Sequence, residues 1–147
     1  MNFALMEETI VTTPIHLAVL PFVNLSGPSD SERIADGLTE LVIMQLASSP
    51  LLRVISRTSS MHYKHTRQRL TDIGRELDVT HVVQGSVLQW SQTMQVAVQL
   101  IDSATDTHVF SHIYERDLAD TLHCQSEIAQ SIAADIGALF GSMEGDQ

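Results

Sequence analysis

Two histidines four residues apart, His108 and His112, would chelate a single metal ion if they lay on a helix. The residues around them, HVFSHIYE, read instead as a strand. On a strand, four residues span about 13 Å at roughly 3.3 Å each, whereas zinc requires both nitrogens at about 2 Å. His62 and His65 stand in a basic stretch with no neighbouring Asp, Glu or Cys to complete a site. A lone Cys124 excludes an internal disulfide and an all-cysteine zinc site, and reads as a structural thiol. Ser86 follows Gly85 in VVQGSVLQW, but the second glycine of a nucleophile elbow is missing and the segment continues as a strand. Gly85 therefore marks a bulge or a close backbone approach. Trp90 and Tyr114 are too few and too scattered to form a base-stacking platform. No catalytic constellation, metal or cofactor is expected.

Asn24-Leu25-Ser26-Gly27-Pro28 joins a strand to the start of a helix, the geometry that cradles phosphates. A phosphate loop needs several glycines and usually a lysine, and this loop has one glycine. Asp30 and Glu32 occupy the first helical turn, where they satisfy the helix dipole and repel an anion. Asp36 and Glu40 share a helix face and would serve as paired carboxylates, but nothing beside them completes acid–base chemistry. Gly37 costs the helix about 1 kcal/mol relative to Ala, so something lies close to its backbone: the sheet, or a ligand. If a small ligand binds, Asn24, Ser26, Gly27, Asp36 and Gly37 are placed to touch it.

The charge is unevenly spread. Residues 53–75 carry Arg53, Arg57, Lys64, Arg67, Arg69 and Arg75 against Asp72 alone, while the rest of the chain carries Arg33 and Arg116 against seventeen acids. A positive island on an acidic protein steers an acidic partner and rejects basic ones. Arg53, Arg57, Lys64, Arg67 and Arg69 are therefore the partner-binding candidates. The alternative is a solvated face on which Arg53 and Arg57 answer carboxylates of a neighbouring helix. His62 and His65 would add charge on mild acidification.

These residues need a scaffold. The chain has 147 residues, 44% of them hydrophobic and 18% charged, enough for one domain that buries about 70% of its unfolded surface. A net charge of −10 argues against direct nucleic-acid binding. No run approaches the roughly 20 apolar residues of a membrane span.

IHLAVLPF (15–22) reads as a central strand covered on both faces. A helix follows from about Asp30 to Ser48, with Ser29 and Glu32 at capping-box spacing and Ile34, Leu38, Leu41, Val42 and Gln45 on one face. LLRVISR (51–57) is a second strand, and a basic loop runs from Thr58 to Arg69. Thr71 caps a short helix carrying Ile73 and Leu77. Val79 to Trp90, Met94 to Ile101 and residues 108–115 form an antiparallel meander, with Met94, Val96, Val98 and Leu100 on its core face. Gln95, Ala97 and Gln99, with Val109, Ser111 and Ile113 of the next strand, form a second face that helices cover only in part, and self-association is expected there. A last helix spans about Asp120 to Phe140, with Leu122, Ile128, Ile132, Ile136 and Leu139 inward. The expected fold is α/β, a single mixed sheet in the order β-α-β-α-β-β-β-α with helices packed on it. The domain spans 15–140, with a flexible lead (1–14) and tail (141–147).

The segments AVLPFVNLSG, IADGLTELVIMQLA, LRVISRTSS, IGRELDVTHVVQGSV and VQLIDSATDTHVFSHIYER, in that order, resemble the TolB amino-terminal-like domain over about residues 15–135. Members of that family usually have Gly where this chain has Asp78 and Asp106; Asp is among the side chains that best tolerate left-handed backbone. The resemblance implies an α/β accessory module without chemistry of its own, found beside winged-helix, cyclase and tetratricopeptide-repeat domains of bacterial proteins. The expected function is a non-enzymatic interaction or signal-coupling module binding a protein partner or neighbouring domain. The alternative is a regulatory domain for a small molecule, nucleotides included. The expected compartment is cytoplasmic if Met1 is the native start, and periplasmic if the chain is cut from a membrane-anchored protein.

Overall fold

A computed structural model describes residues 14–27 and 30–145. The elements are β1 (Ile15–Val19), β2 (Val23–Asn24), α1 (Asp30–Ala47), β3 (Leu52–Val54), α2 (Arg57–Met61), α3 (Leu70–Leu77), β4 (His81–Trp90), β5 (Thr93–Asp102), β6 (Thr107–Asp117) and α4 (Thr121–Gly145). They build one mixed sheet, ordered β3-β1-β4-β5-β6, with β2 also paired to β4. β1 is parallel to β3 and β4, and β4, β5 and β6 form the antiparallel meander.

Alternation along the strands feeds two cores. Met94, Val96, Val98 and Leu100 are fully buried, as their period-two spacing predicts, and meet α1 and α4. On the opposite face, Ala18, Leu20 and Val82 meet Tyr63 and Ile73, so a smaller core lies under α2 and α3. Helices therefore cover one face throughout and the other only on its β3-β1-β4 side. Over the meander, the second face leaves Ile113 58% and Val109 37% exposed.

Several elements differ from expectation. The strand expected over 15–22 is interrupted between Val19 and Val23, where Pro21 lacks an N–H for the ladder. Phe22 N donates instead to the buried Thr39 Oγ1 at 2.9 Å. The strand expected over 51–57 is limited to Leu52–Val54, because Ser56 caps α2 by accepting from Ser59 N at 3.3 Å. The basic loop thus contains a helix, and α3 is capped at Arg69 rather than Thr71. Gln45 is exposed and Leu46 takes the inward position. Leu122 is 74% exposed, since helical spacing back from Ile132 and Ile128 reaches Cys124 and not Leu122. The tail expected from 141 continues α4 as far as Gly145. Ser29 and most of the expected lead lie outside the described residues.

Candidate functional site: a crevice under the basic turn

The chain leaves the carboxyl end of β1 toward α1 on one face of the sheet. It leaves β3, the neighbouring strand, toward α2 and α3 on the other face. Where connections diverge in this way, α/β sheets open a crevice outside the strand ends. Here the crevice measures about 690 Å³ and lies between Leu20–Asn24 and the turn Tyr63–Gln68. Gln84, Ser86 and Gln99 form its polar floor, and Leu20, Leu70 and Ile73 contribute apolar wall. Gln84 and Gln99 are direct cross-strand partners, and Ser86 sits two residues along β4. None of the three polar side chains has a hydrogen-bond partner among the described residues.

The turn above the crevice is anchored three ways. Lys64 Nζ contacts Asp36 Oδ2 at 2.7 Å and Glu32 Oε2 at 2.8 Å, both on α1. Tyr63 donates from its hydroxyl to Glu76 Oε1 at 2.5 Å, and Gln68 Nε2 donates to Glu76 Oε2 at 2.9 Å. The Tyr63 ring is itself buried in the smaller core. These bonds hold Glu76 below the usual carboxylate range, first through Tyr63 and then through Gln68, and push the Tyr63 phenol up. His65 completes the turn at φ 65°, in the left-handed region.

The partner-binding candidates divide. Lys64 and Arg67 line the crevice, whereas Arg53, Arg57 and Arg69 do not. Arg57 pairs with Glu40 at 3.4 Å, and the Lys64 charge is committed to α1. Arg53, Arg67 and Arg69 are exposed and have no carboxylate partner among the described residues.

Of the ligand-contact candidates, only Asn24 lines the crevice. Its side chain closes a local turn, with Oδ1 accepting from Ser26 N at 2.9 Å and Nδ2 donating to Gly27 O at 2.5 Å. Ser26 Oγ accepts from Gln89 N at 2.7 Å, which fastens the loop to β4, and Gly27 supplies the φ of 102° that the turn needs. Asp36 holds Lys64. A Cβ on Gly37 would stand 3.1 Å from Gln125 Nε2, so the close neighbour of that glycine is α4 and not the sheet. Gln125 Nε2 donates to Ile34 O at 2.8 Å in the same helix–helix contact.

Cys124 is buried, with its thiol 3.0 Å from Asp117 O. Among the described residues, no group of three His, Cys, Asp or Glu side chains is placed to hold a metal ion, and no helix is long and apolar enough to cross a membrane. The floor of Gln84, Ser86 and Gln99 and the anchor Glu76 carry no motif that marks them as site residues in the sequence. Strand alternation would have put the three floor residues on one face, but only the docked turn makes that face a site.

Residues 13–133 match the family of the HilA/YgeH-like transcriptional regulator, second domain, and the chain belongs to that family. It is 37% identical over 116 residues to "Putative adenylate cyclase 3" of Rhizobium meliloti (strain 1021), a match covering 79% of this chain and 20% of the relative. The chain therefore spans about one fifth of the length of that curated relative. Among solved structures, it is similar to the lipoprotein GNA1162 of Neisseria meningitidis, with a TM-score of 0.60, 14% identity, and coverage of 84% of this chain and 97% of the other. It is also similar to TolB of Acinetobacter baumannii, with a TM-score of 0.54, 14% identity, and coverage of 82% of this chain and 28% of the other. At these identities the structural likenesses establish the fold, which this chain shares with TolB and with the lipoprotein.

Proposed function

We propose that this domain is a non-enzymatic interaction module of a larger bacterial regulatory protein, and that the anchored basic turn meets an acidic segment of a neighbouring domain or protein partner. The observation that carries this reading is the pairing state of the cations. Lys64 is spent on holding the turn in place, while Arg67 and Arg69 project from it with no carboxylate partner among the described residues. Positioning of charge by a rigid scaffold is what a recognition loop requires. Membership in a family of second domains of transcriptional regulators supports a role beside other domains, as does the match to one fifth of a longer cyclase-named relative.

Charge reversal tests it. Arg67→Glu with Arg69→Glu is titrated with an acidic peptide containing Glu and Leu, beside a Lys-for-Glu counterpart, at low and high salt. The parent is expected to prefer the acidic peptide, and the variant to lose that preference several-fold together with its salt dependence. Unchanged affinity and salt slope would sink the proposal.

A second reading rests on the floor of the crevice. Its 690 Å³ lies within the range of small-molecule sites, and Gln84, Ser86 and Gln99 offer unused donors and acceptors. A regulatory small molecule, nucleotides included, would bond to these groups. Thermal shift against nucleotides, sugars and amino acids decides it, since a ligand at a hundred times its Kd stabilises by about 2.7 kcal/mol. A flat response across all three sets excludes this reading.

A further inference from the structure

The two edges of the sheet are unequal. β3 closes one side with three residues, while β6 closes the other with eleven. Natural edges are blunted by Pro, by Lys, by shortness or by a bulge within the strand. β6, THVFSHIYERD, has neither Pro nor Lys, its Asp, Glu and Arg side chains are confined to Glu115, Arg116 and Asp117 at the carboxyl end, and its register irregularity falls near its amino-terminal end, opposite Leu100 and Ile101. From Phe110 to Asp117 it pairs regularly with β5. On its outer side Glu115 O accepts from Arg116 Nη1 at 2.8 Å and Asp117 O from the Cys124 thiol at 3.0 Å, while the outward backbone of Ser111 and Ile113 has no partner among the described residues.

The side chains of that stretch are self-complementary about Ile113. When the strand is turned antiparallel on itself with Ile113 facing Ile113, His112 stands opposite Tyr114, Ser111 opposite Glu115, and Phe110 opposite Arg116. These four pairings are favourable: aliphatic on aliphatic, aromatic on aromatic, hydroxyl to carboxylate, and ring to guanidinium; beyond them Val109 falls opposite Asp117. Neighbouring registers that keep the same faces together are worse. Centring on His112 sets Ser111 against Ile113 and His108 against Arg116. Centring on Tyr114 sets Ile113 against Glu115 and His112 against Arg116. Ile113 is 58% exposed, so it adds apolar area on the same open face as Val109.

We propose that two copies of this chain associate through β6, antiparallel about a twofold axis at Ile113, so that the six-stranded sheet continues across the interface. The occupant of the edge is a second copy because the register that satisfies the side chains is one in which the strand meets itself. This inference is independent of the basic turn and stands or falls apart from it.

Residue 113 facing its own copy yields a specific test. Ile113→Lys and Ile113→Glu are made separately, shown folded by far-UV circular dichroism, and followed by sedimentation from micromolar to millimolar concentration. The parent is expected to dimerise with concentration, each variant alone to dimerise about tenfold less tightly, and their equimolar mixture to recover the dimer. Ser111→Lys, set opposite Glu115 of the copy, is expected to tighten it and keeps the test decisive if the Ile113 variants fold poorly. A parent that stays monomeric to millimolar, or a dimer indifferent to Ile113→Lys, overturns the proposal. A mixture that stays monomeric overturns the register.

Discussion

Both carboxylate oxygens of Asp36 bind the ammonium of Lys64, at 2.9 Å to Oδ1 and 2.7 Å to Oδ2, across twenty-eight residues of sequence. Glu32, one turn earlier on α1, adds a third contact. The hydrogen bonds to Asp36 and then to Glu32 raise the Lys64 pKa, and the bond from Lys64 holds Glu32 below its ordinary value of 4.5. A depressed carboxylate contributes stability above its unfolded pKa and loses it as pH falls through the folded value; a raised amine loses its share only at alkaline pH above 10.5. The Lys64 side chain is 25% exposed and its partners 27% and 38%, so solvent screening limits the effect. Lys64→Met is expected to cost about 1 kcal/mol at neutral pH, with the difference from the parent closing below pH 4.5. Urea unfolding at pH 7 and pH 3 checks this, and a constant difference would refute the assignment.

Tyr114 secures α4 to the meander. Its ring is buried, and its hydroxyl donates to Asp135 Oδ2 at 2.6 Å. Burial, followed by that hydrogen bond, pushes the phenol well above its ordinary value of 10.0. The neutral form is the one the fold retains, so stability is full below pH 10 and falls as the solution becomes more alkaline. Tyr114→Phe removes the bond and keeps the packing, at an expected cost of about 1–2 kcal/mol. The variant should also show a smaller loss between pH 9 and pH 11, measured by chemical denaturation.

Gly85 is where the central strand meets Phe22. A Cβ there would collide with the backbone oxygen of Ala97 and stand 2.7 Å from Phe22 Cε2. The backbone oxygen cannot rotate away, and Phe22 is buried in the larger core. Gly85→Ala is therefore expected to destabilise by about 2–3 kcal/mol, and pairing it with Phe22→Leu should recover part of the loss. A neutral Gly85→Ala would show that the strands separate more easily than this packing implies.

What a single chain makes legible follows from the range of the forces involved. The alternation of Met94, Val96, Val98 and Leu100 was legible because strand period and burial are local. Gly85 in VVQGSV signals a bulge or a close approach; its unbroken register with β5 and the Phe22 ring beside it make it the close approach. The break at Pro21 was missed because the surrounding residues are uniformly apolar and β2 resumes beside β4 only through tertiary pairing. The helix Arg57–Met61 was hidden in a polar stretch whose one local signal is the Ser56 cap. In the site, the cations were visible as a charge cluster, but their division was not. Whether a lysine is free or spent depends on Asp36, brought near only when β3 places the basic turn against α1. The floor of Gln84, Ser86 and Gln99 was invisible as a site for the same reason.

Asp78 and Asp106 occupy left-handed backbone, at φ 58° and φ 57°, a region that favours glycine. Asp78 ends α3, with its N–H turned back to Arg75 O and Gly74 O. Neither side chain makes a hydrogen bond among the described residues that would offset the strain. An L-residue in this region costs roughly 1–2 kcal/mol, less for Asp than for most. Glycine removes that cost but adds unfolded-state entropy of somewhat under 1 kcal/mol. Asp78→Gly is expected to stabilise by about 0.5 kcal/mol on that difference, and a further gain follows from removing an acid beside a helix carboxyl terminus. Asp78→Asn separates the two contributions, because it removes the charge and keeps the Cβ. If thermal unfolding ranks Asn equal to Gly, the gain is electrostatic; if Gly exceeds Asn, backbone strain is stored at this helix end. If Gly falls below the parent, the Asp78 side chain supports the turn and the strain account is wrong.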